Sequence, residues 1–433
     1  MNKDKQKLIP QLRFPEFKKD GGWAVEPFND LYNFKVTNSF SRDKLNYENG
    51  EVKNIHYGDI HTKYSSHFDI TKENVPYINK DVSIDRINKD NYCIEGDLVI
   101  ADASEDMDDI GKSIEIINVN KEKLLAGLHT LLARPINDKI KLGFGGHLFK
   151  SNGITTQIKK EAQGAKVLGI SKARLENLNV FYPKNEKEQQ KIANCLSSLD
   201  KLITAETEKL DLLKDHKKGL LQQLFPQAGE TKPQFRFPEF ENDGNWEEKH
   251  IGQLFRFKQG VQVPIKNQHT TKEDGMVRFI RIIDITGDSE PPRYIQNPGA
   301  VYILTKEDLF MIRYGTPGVI SIGFDGVIAN NLFRLIWKLS SSINSSFWYY
   351  AFQKMEKVIF SLSSSSSMPA ISFSTLDNLE IKFPNDPKEQ EKIANCLSSS
   401  DDLVEEQTTK IEALKDHKKG LMQQLFPNTN EQQ

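Results

Sequence analysis

Four stretches of the chain hold residue types that could carry chemistry, and each can be held against what that chemistry needs. Gly111-Lys112-Ser113 ends like a phosphate-binding loop, whose glycine-rich backbone cradles phosphates, but Asp106 stands where the first glycine is required. Glu105, Asp106, Asp108 and Asp109 offer oxygen ligands for a divalent cation, yet they lack the spacing of a cation loop and read as a solvated turn. Asn385-Asp386-Pro387-Lys388 begins like the Asn/Asp-Pro-Pro-aromatic motif of methyltransferases; without the second proline it reads as a helix entry. His216 and His417 have identical neighbours, but no nucleophile or carboxylate is arranged beside both in a catalytic pattern. The chain is therefore read as non-catalytic, with no metal ligand set and no cofactor of its own.

Composition narrows the class without naming a partner. The length of 433 residues suggests two to four domains, and a formal net charge of −2 gives no support by itself to nucleic-acid binding, although local basic faces are compatible with it. Cys93, Cys195 and Cys396 have no metal-like spacing, and the last two occupy matching places near the start of two similar helices. Antiparallel pairing of those helices would hold the thiols apart, which disfavours a disulfide and fits a reducing cytoplasm. No apolar run approaches a membrane span, and Met1–Pro10 is polar and basic, so a cytoplasmic protein without a membrane partner is expected.

Any site has to be placed by the elements around it, and the dominant element occurs twice. Residues 185–226 and 385–427 are close copies that share the stretches IANCLSS and LKDHKKGL. In the first copy, apolar residues at Ile192, Leu196, Leu199, Ile203, Leu210, Leu213, Leu220 and Leu224 recur at coiled-coil steps, interrupted by Glu206 and Lys217. The second keeps Ile393, Leu397, Val404, Ile411, Leu414, Leu421 and Leu425, with Ser400 and Gln407 on the seam. Two seams in one chain bury each other most simply as a pair, and some 40 helical residues make a rod of about 60 Å. Asn185 and Asn385 stand where N-caps are wanted, and Leu-Phe-Pro closes each copy because proline cannot continue a helix. Lys191/Lys392, Asn194/Asn395, Ser197/Ser398 and the LKDHKKGL block match on faces that packing leaves free. Either the duplication is recent, or each copy shows the same face to the same partner; the divergence of the segments between the copies favours the second.

Those segments follow one order. Pro10–Phe17 (PQLRFPEF) with Trp23 recurs as Pro233–Phe240 (PQFRFPEF) with Trp246, suiting an extended strap on a helix end or an ordered linker. Short strand-like runs follow, at Glu95–Ala101, Ser113–Val119 and Leu128–Ala133, and at Val277–Ile285, Val319–Ile322 and Leu332–Lys338. Helical stretches come next, near Thr155–Glu161 and Ser346–Ile359, and the blocks converge at Ile170-Ser171 and Ile371-Ser372. The expected layout is a strap at 1–22, a block at 23–184, a helix at 185–226, a linker and strap at 227–245, a block at 246–384, a helix at 385–427 and a tail at 428–433. The expected fold is α+β: two mixed α/β domains separated by two long helices in an antiparallel coiled coil, with a pseudo-two-fold internal repeat.

The helices, the Arg-Phe-Pro-Glu-Phe straps and the diverged blocks together resemble the specificity (S) subunit of type I restriction-modification systems, over nearly the whole chain. Tyr57-Gly58-Asp59-Ile60 looks like that family's Gly-Asp-Ile turn, and Gly96-Asp97-Leu98-Val99 like its Gly-Asp-Leu strand. Ile282–Ile285 and Glu307-Asp308-Leu309-Phe310 lack the glycine, which leaves the loop geometry of the second block less secure. The resemblance implies target recognition domains that bind double-stranded DNA, spacer helices and no catalytic activity. It implies docking to two methyltransferase (M) subunits and, through the complex, to restriction (R) subunits, with S-adenosylmethionine, ATP and Mg confined to those partners.

Diverged blocks imply an asymmetric, interrupted target. Side chains able to reach base edges or phosphates on predicted loops are Ser41, Arg42, Lys44, Tyr57, Asp59, Ser104, His129, Gln163 and Lys166 in the first block. In the second they are Arg281, Asp284, Arg313, Tyr314, Asn330, Asn331 and the run Ser363–Ser367 around Ser365. A solvated loop accounts for any single one equally well. The partner face is expected to include Lys191, Asn194, His216, Lys217 and Lys218, with Lys392, Asn395, His417, Lys418 and Lys419. The alternative is a scaffold that binds no DNA, in which a coiled coil carries two diverged binding modules.

Overall fold

The computed structural model describes residues 8–287, 290–339, 343–364 and 367–428. The chain divides into two compact units, Met1–Thr207 with Lys410–Gln433, and Glu208–Thr409. Each unit takes one variable block, the opening half of the long helix that follows it, and the closing part of the other long helix.

The long helices run over Glu186–Gln223 and Pro387–Leu425. Asn185 caps the first, its side chain accepting from the Lys187 N–H at 3.0 Å. The second is capped by Asp386 and not by Asn385: Asp386 Oδ1 accepts from the Lys388 N–H at 2.8 Å. The shift by one residue follows from Pro387, whose fixed φ and missing N–H suit the first helical position. Within the first unit Glu206 pairs with Lys410 at 2.6 Å and Asp200 pairs with Lys418, so the two segments run antiparallel. Ser400 and Gln407 are buried on the seam, as their positions imply.

Each strap ties two helix ends together. The Arg13 guanidinium makes two 2.7 Å bonds to Glu188, in the first turn of the first helix, and also donates to the carbonyls of Asp20 and Gly21. The Leu12 N–H donates to the Gln424 carbonyl at 2.9 Å, at the end of the second helix. The second unit repeats the device: Arg236 clamps Glu389 at 2.8 and 2.7 Å and reaches the carbonyls of Asp243 and Gly244, while the Phe235 N–H donates to the Gln223 carbonyl at 3.0 Å. The reason for Arg-Phe-Pro is visible here. Arginine forks onto a carboxylate, and proline starts the short turns Pro15–Phe17 and Pro238–Phe240.

The helix ends enter the cores of the blocks. Phe426 meets Trp23 edge-on and stacks on Phe144; Phe225 meets Trp246 edge-on and stacks on Phe347. Phe144 and Phe347 are thus equivalent positions in the two units. Buried phenyl rings of this kind contribute about 1.5–3 kcal/mol each, which is why Leu-Phe-Pro recurs intact.

In the first unit a five-stranded sheet runs in the spatial order Tyr32–Lys35, Thr130–Pro135, Leu98–Ala101, Ser113–Asn118, His67–Asp69. A second sheet orders Lys123–Ala126, Val52–Ile55, Tyr77–Ile78 and Leu45–Asn46, with the first pair parallel. The second unit has a four-stranded sheet, Phe255–Gln259, Leu332–Trp337, Leu309–Ile312, Ile320–Ser321, and a three-stranded one, Arg293–Gln296, Met276–Ile280, Val327–Ile328, whose last pair is parallel. The run Val277–Ile285 is not one strand. It leaves the sheet after Ile280 and makes a helical turn over Ile283–Thr286. The helical stretches form at Asn152–Glu161 and Ser345–Ser361, and Ser171 and Ser372 precede the short helices Lys172–Glu176 and Phe373–Asp377. Cys93, Cys195 and Cys396 are all free thiols.

Candidate nucleic-acid interface

In the first unit the parallel pair Val52–Ile55 and Lys123–Ala126 releases two loops side by side, where the Gly127 N–H donates to the Ile55 carbonyl at 2.9 Å. The chain then turns into a short helix, Tyr57–Thr62, headed by His56, whose Nδ1 accepts from the Gly58 N–H at 3.1 Å. Burial, with Arg42 beside it, holds the His56 imidazole below its usual pKa, in the neutral form that can accept.

Asp59, fully buried, is gripped by Arg42 at 2.9 and 3.1 Å and by Lys63 at 2.9 Å. Gly58 lies against the same pair, where a Cβ would meet Arg42 Nη2 and His56 Nδ1 at an ordinary contact distance of 3.4 Å. Tyr57 lies edge-on to His129, ring centroids 5.2 Å apart, and His129, with φ of 55°, bonds Asp102 at 3.2 Å. Ser104 lies on the strand Ala103–Ser104, paired with Leu168–Gly169 just beyond Lys166, and Gln163 bridges to Gly169.

Arg42, Tyr57, Asp59 and His129 are thus brought together, with Ser104 on a strand beside them and Gln163 and Lys166 on the turn that pairs with that strand. Ser41 bonds Asp43 at the rim, and Lys44 is half exposed. Two of these side chains differ from their sequence reading: Asp59 and Ser104 are buried, Asp59 as the anchor of Arg42 and Ser104 as acceptor of the Asp106 N–H. His56, Tyr47, Lys63 and Asp102 belong to the same cluster and were missed. Lys63 had a signal, standing four residues after Asp59 on a helix.

The second unit builds the same framework without the glycine. Ile280 pairs with Ile328, the Ala329 N–H donates to the Ile280 carbonyl at 2.9 Å, and Asp284 sits where Asp59 does, its carboxylate held by Arg281 at 3.0 Å and by Arg278 at 3.8 Å. The loop geometry therefore holds with Ile283 in place of the glycine; Asp284 is 4% exposed and anchors arginines rather than facing outward. The second signature also holds, since Asp97–Arg134 at 2.8 Å has its counterpart in Asp308–Arg334 at 2.5 Å.

Beside it lies a cluster that sequence only half identified. Arg313 bonds Gln259, lies over the Phe373 ring at 4.3 Å and the Tyr314 ring at 5.0 Å, and its N–H donates to the Asn331 carbonyl at 2.9 Å. Gln259 also donates to the Asn330 carbonyl at 2.5 Å. Tyr314 bridges to Ala370, beyond the serine run, in which Ser365 lies outside the described residues. Gln259 and Phe373 carried no sequence signal.

The faces of the long helices sort the expected partner residues. Lys217 and Lys418 are turned inward, each only 18% exposed, onto Asp401 and Asp200 of their own units. They brace the helix pair and are not part of an outer face. The exposed remainder falls into matching sets, Lys191, Asn194, His417 and Lys419 in the first unit and Lys392, Asn395, His216 and Lys218 in the second. Lys191 and Lys392 also reach Glu16 at 3.3 Å and Glu239 at 2.7 Å on the straps. In the stretches at 105–113, Lys112 bonds the His61 carbonyl and Asp109, and Asp108 pairs with Lys159. No helix among the described residues is long and apolar enough to cross a membrane.

This framework is shared with known proteins. A model of the type I restriction modification DNA specificity domain matches residues 21–215 and again residues 243–416. The putative type I restriction enzyme MjaX specificity subunit of Methanocaldococcus jannaschii is 25% identical over 432 residues, which cover 98% of this chain and 96% of that protein. The fold is similar to that of a type I restriction-modification S subunit from M. genitalium, with a TM-score of 0.61, 15% identity, and 97% and 100% of the two chains covered. It is also similar to a chain from a structure describing complex assembly and conformational transition of the type I R-M system, with a TM-score of 0.56, 16% identity, and 97% and 100% covered. With two matches that together span most of its length, the chain belongs to the type I restriction modification DNA specificity family, and it carries two target recognition domains.

Proposed function

We propose that this chain is the DNA-reading subunit of a type I restriction-modification complex. Each target recognition domain reads one half of an asymmetric, interrupted site, and the chain docks two methyltransferase subunits and, through them, restriction subunits. One observation carries the reading. The two units keep the same clamps and outer helix residues, while the side chains at the ends of the paired parallel strands differ. A conserved frame with two different tips suits one kind of protein partner and two different sequences.

The tips supply the chemistry of readout. Arg42, Lys63, Tyr57 and His129 in the first unit, and Arg313, Gln259, Tyr314 and Asn331 in the second, are types that bond base edges and phosphates. Arg42 and Arg313 are held in place by their own chain, which lowers the ordering entropy lost on binding. The sets Lys191, Asn194, His417, Lys419 and Lys392, Asn395, His216, Lys218 face the methyltransferase subunits. Members of the family are non-catalytic; in this reading S-adenosylmethionine, ATP and Mg belong to the partner subunits, in the cytoplasm. The test is to compare the methylomes of host cells with and without the gene. An interrupted adenine-methylated motif should vanish on deletion, and persistence of every such motif would refute the reading.

A further inference from the structure

The first unit contains a polar cluster that neither the DNA-facing loops nor the outer helix faces use. His67, on the strand His67–Asp69, His147, on the short helix Gly145–Leu148, and Asp200, on the first long helix, each offer a ligand atom within 4.8 Å of the other two. The imidazoles of His67 and His147 lie 4.2 Å apart, centroid to centroid.

The bonds around the cluster leave lone pairs open. His67 Nε2 donates to the Gly143 carbonyl at 2.8 Å, which places the proton on Nε2 and leaves Nδ1 with only the Ser66 hydroxyl at 3.4 Å. A ring N–H held by a carbonyl is the usual support of a metal-binding histidine. His147 is fully buried; its Nε2 lies 3.0 Å from Ser197 Oγ, and its Nδ1 has no hydrogen-bond partner. Lys418 takes Asp200 Oδ1, and Asp200 Oδ2 is buried without a partner.

The second unit provides an internal reference. The aromatic trios make Phe144 equivalent to Phe347, and hence His147 to Tyr350; the helix repeat makes Asp200 equivalent to Asp401. There the Tyr350 hydroxyl donates to Asp401 Oδ2 at 2.7 Å while Lys217 takes Oδ1, so the carboxylate is fully satisfied by its own chain. In the first unit a histidine replaces the tyrosine, and the corresponding oxygen is left open.

We propose that His67, His147 and Asp200 form a binding site for a divalent transition metal ion of the zinc type, which pins the first recognition block onto the first long helix. Two imidazoles and one carboxylate oxygen are a ligand set that zinc accepts, with water as a fourth ligand. Bonds of about 2.0–2.2 Å require the three ligand atoms to draw closer than 4.8 Å, a movement within reach of side-chain rotation. Lys418 is already neutralised by Asp200. His67, 18% exposed, leaves a way in.

The test uses the full chain, stripped with a chelator and titrated with Zn²⁺ against a chromophoric competitor, with thermal melting in parallel. One equivalent should bind and raise the melting temperature. His147→Tyr, which copies the second unit, and His67→Gln should each weaken binding by about a hundredfold or more, beyond what loss of a supporting contact costs, while Tyr350→Phe keeps one equivalent. Circular dichroism checks that each variant folds; if His147→Tyr does not, His67→Gln decides. Absence of bound Zn²⁺ in the native chain, or undiminished binding in the folded histidine variants, overturns the proposal.

Discussion

Replacing Arg13 by methionine should open the start of the first long helix far more than the matching change opens the second. Arg13 and Glu188 are 6% and 1% exposed and joined by two 2.7 Å bonds. Removing one member of such a pair strands a buried charge, which costs about 3–5 kcal/mol. Glu188 lies in the first helical turn, where the macrodipole returns about 0.3–1 kcal/mol, so a net loss near 3 kcal/mol is expected. In Arg236→Met, Glu389 keeps the Trp246 indole N–H at 3.2 Å; the Trp23 indole has no partner and gives Glu188 no such support. A hydrogen bond to a charged group is worth about 1.5–3 kcal/mol, so the second unit should lose about 1.5 kcal/mol less. Local opening is the right readout, because a chain of two units does not melt as one. Hydrogen exchange of peptides covering 186–192 should accelerate on the order of a hundredfold in Arg13→Met, and peptides covering 387–393 about tenfold less in Arg236→Met. Equal acceleration in the two variants, or a change of only a few-fold in Arg13→Met, would refute the clamp reasoning.

Lys418→Ala should loosen the helix pair of the first unit, seen as faster exchange around Asp200 and Lys418. The double variant His417→Ala/Lys419→Ala should leave exchange unchanged and weaken capture of the methyltransferase subunit at least tenfold in a pull-down titration. Glu115 gives a pH signature. Burial lifts its carboxyl to about 7 although the Gly143 and Gly146 N–H groups donate to it, and His67 and Tyr32 stand beside it. The unfolded carboxyl titrates near 4.3, so this group's stabilising share is complete below that value and is lost as pH rises through about 7. Melting curves between pH 5 and 8 should show this slope in the native chain and lack it in Glu115→Gln, whose unmatched amide adds only a pH-independent offset.

Much of the frame is legible in the sequence because it is repeated. The seams, the straps, the Leu-Phe-Pro stops and the Ile-Ser entries each occur twice, and each performs the same local task in both units. What escaped is side-chain direction. Lys217 and Lys418 read as an outer face because they follow His216 and His417 in a charged run, yet one helical step turns them inward onto aspartates. Asp59 and Asp284 read as polar loop residues, but their carboxylates are buried anchors: Arg42, from a neighbouring loop, and Lys63 hold Asp59, while Arg281 and Arg278, from its own segment, hold Asp284. The extension of a strand to Ile285 failed because apolar alternation continues into a helical turn that a short window does not distinguish. Gln259 joins Arg313 only through pairing of Phe255–Gln259 with Leu332–Trp337, a contact with no local signature.

The central claim is that each unit reads its own half-site. It is tested most directly by replacing residues 23–184 with the corresponding block of another specificity subunit and mapping the methylated motif in host cells. One half-site should change while the other keeps its sequence. A change in both halves, or in neither, would contradict independent reading.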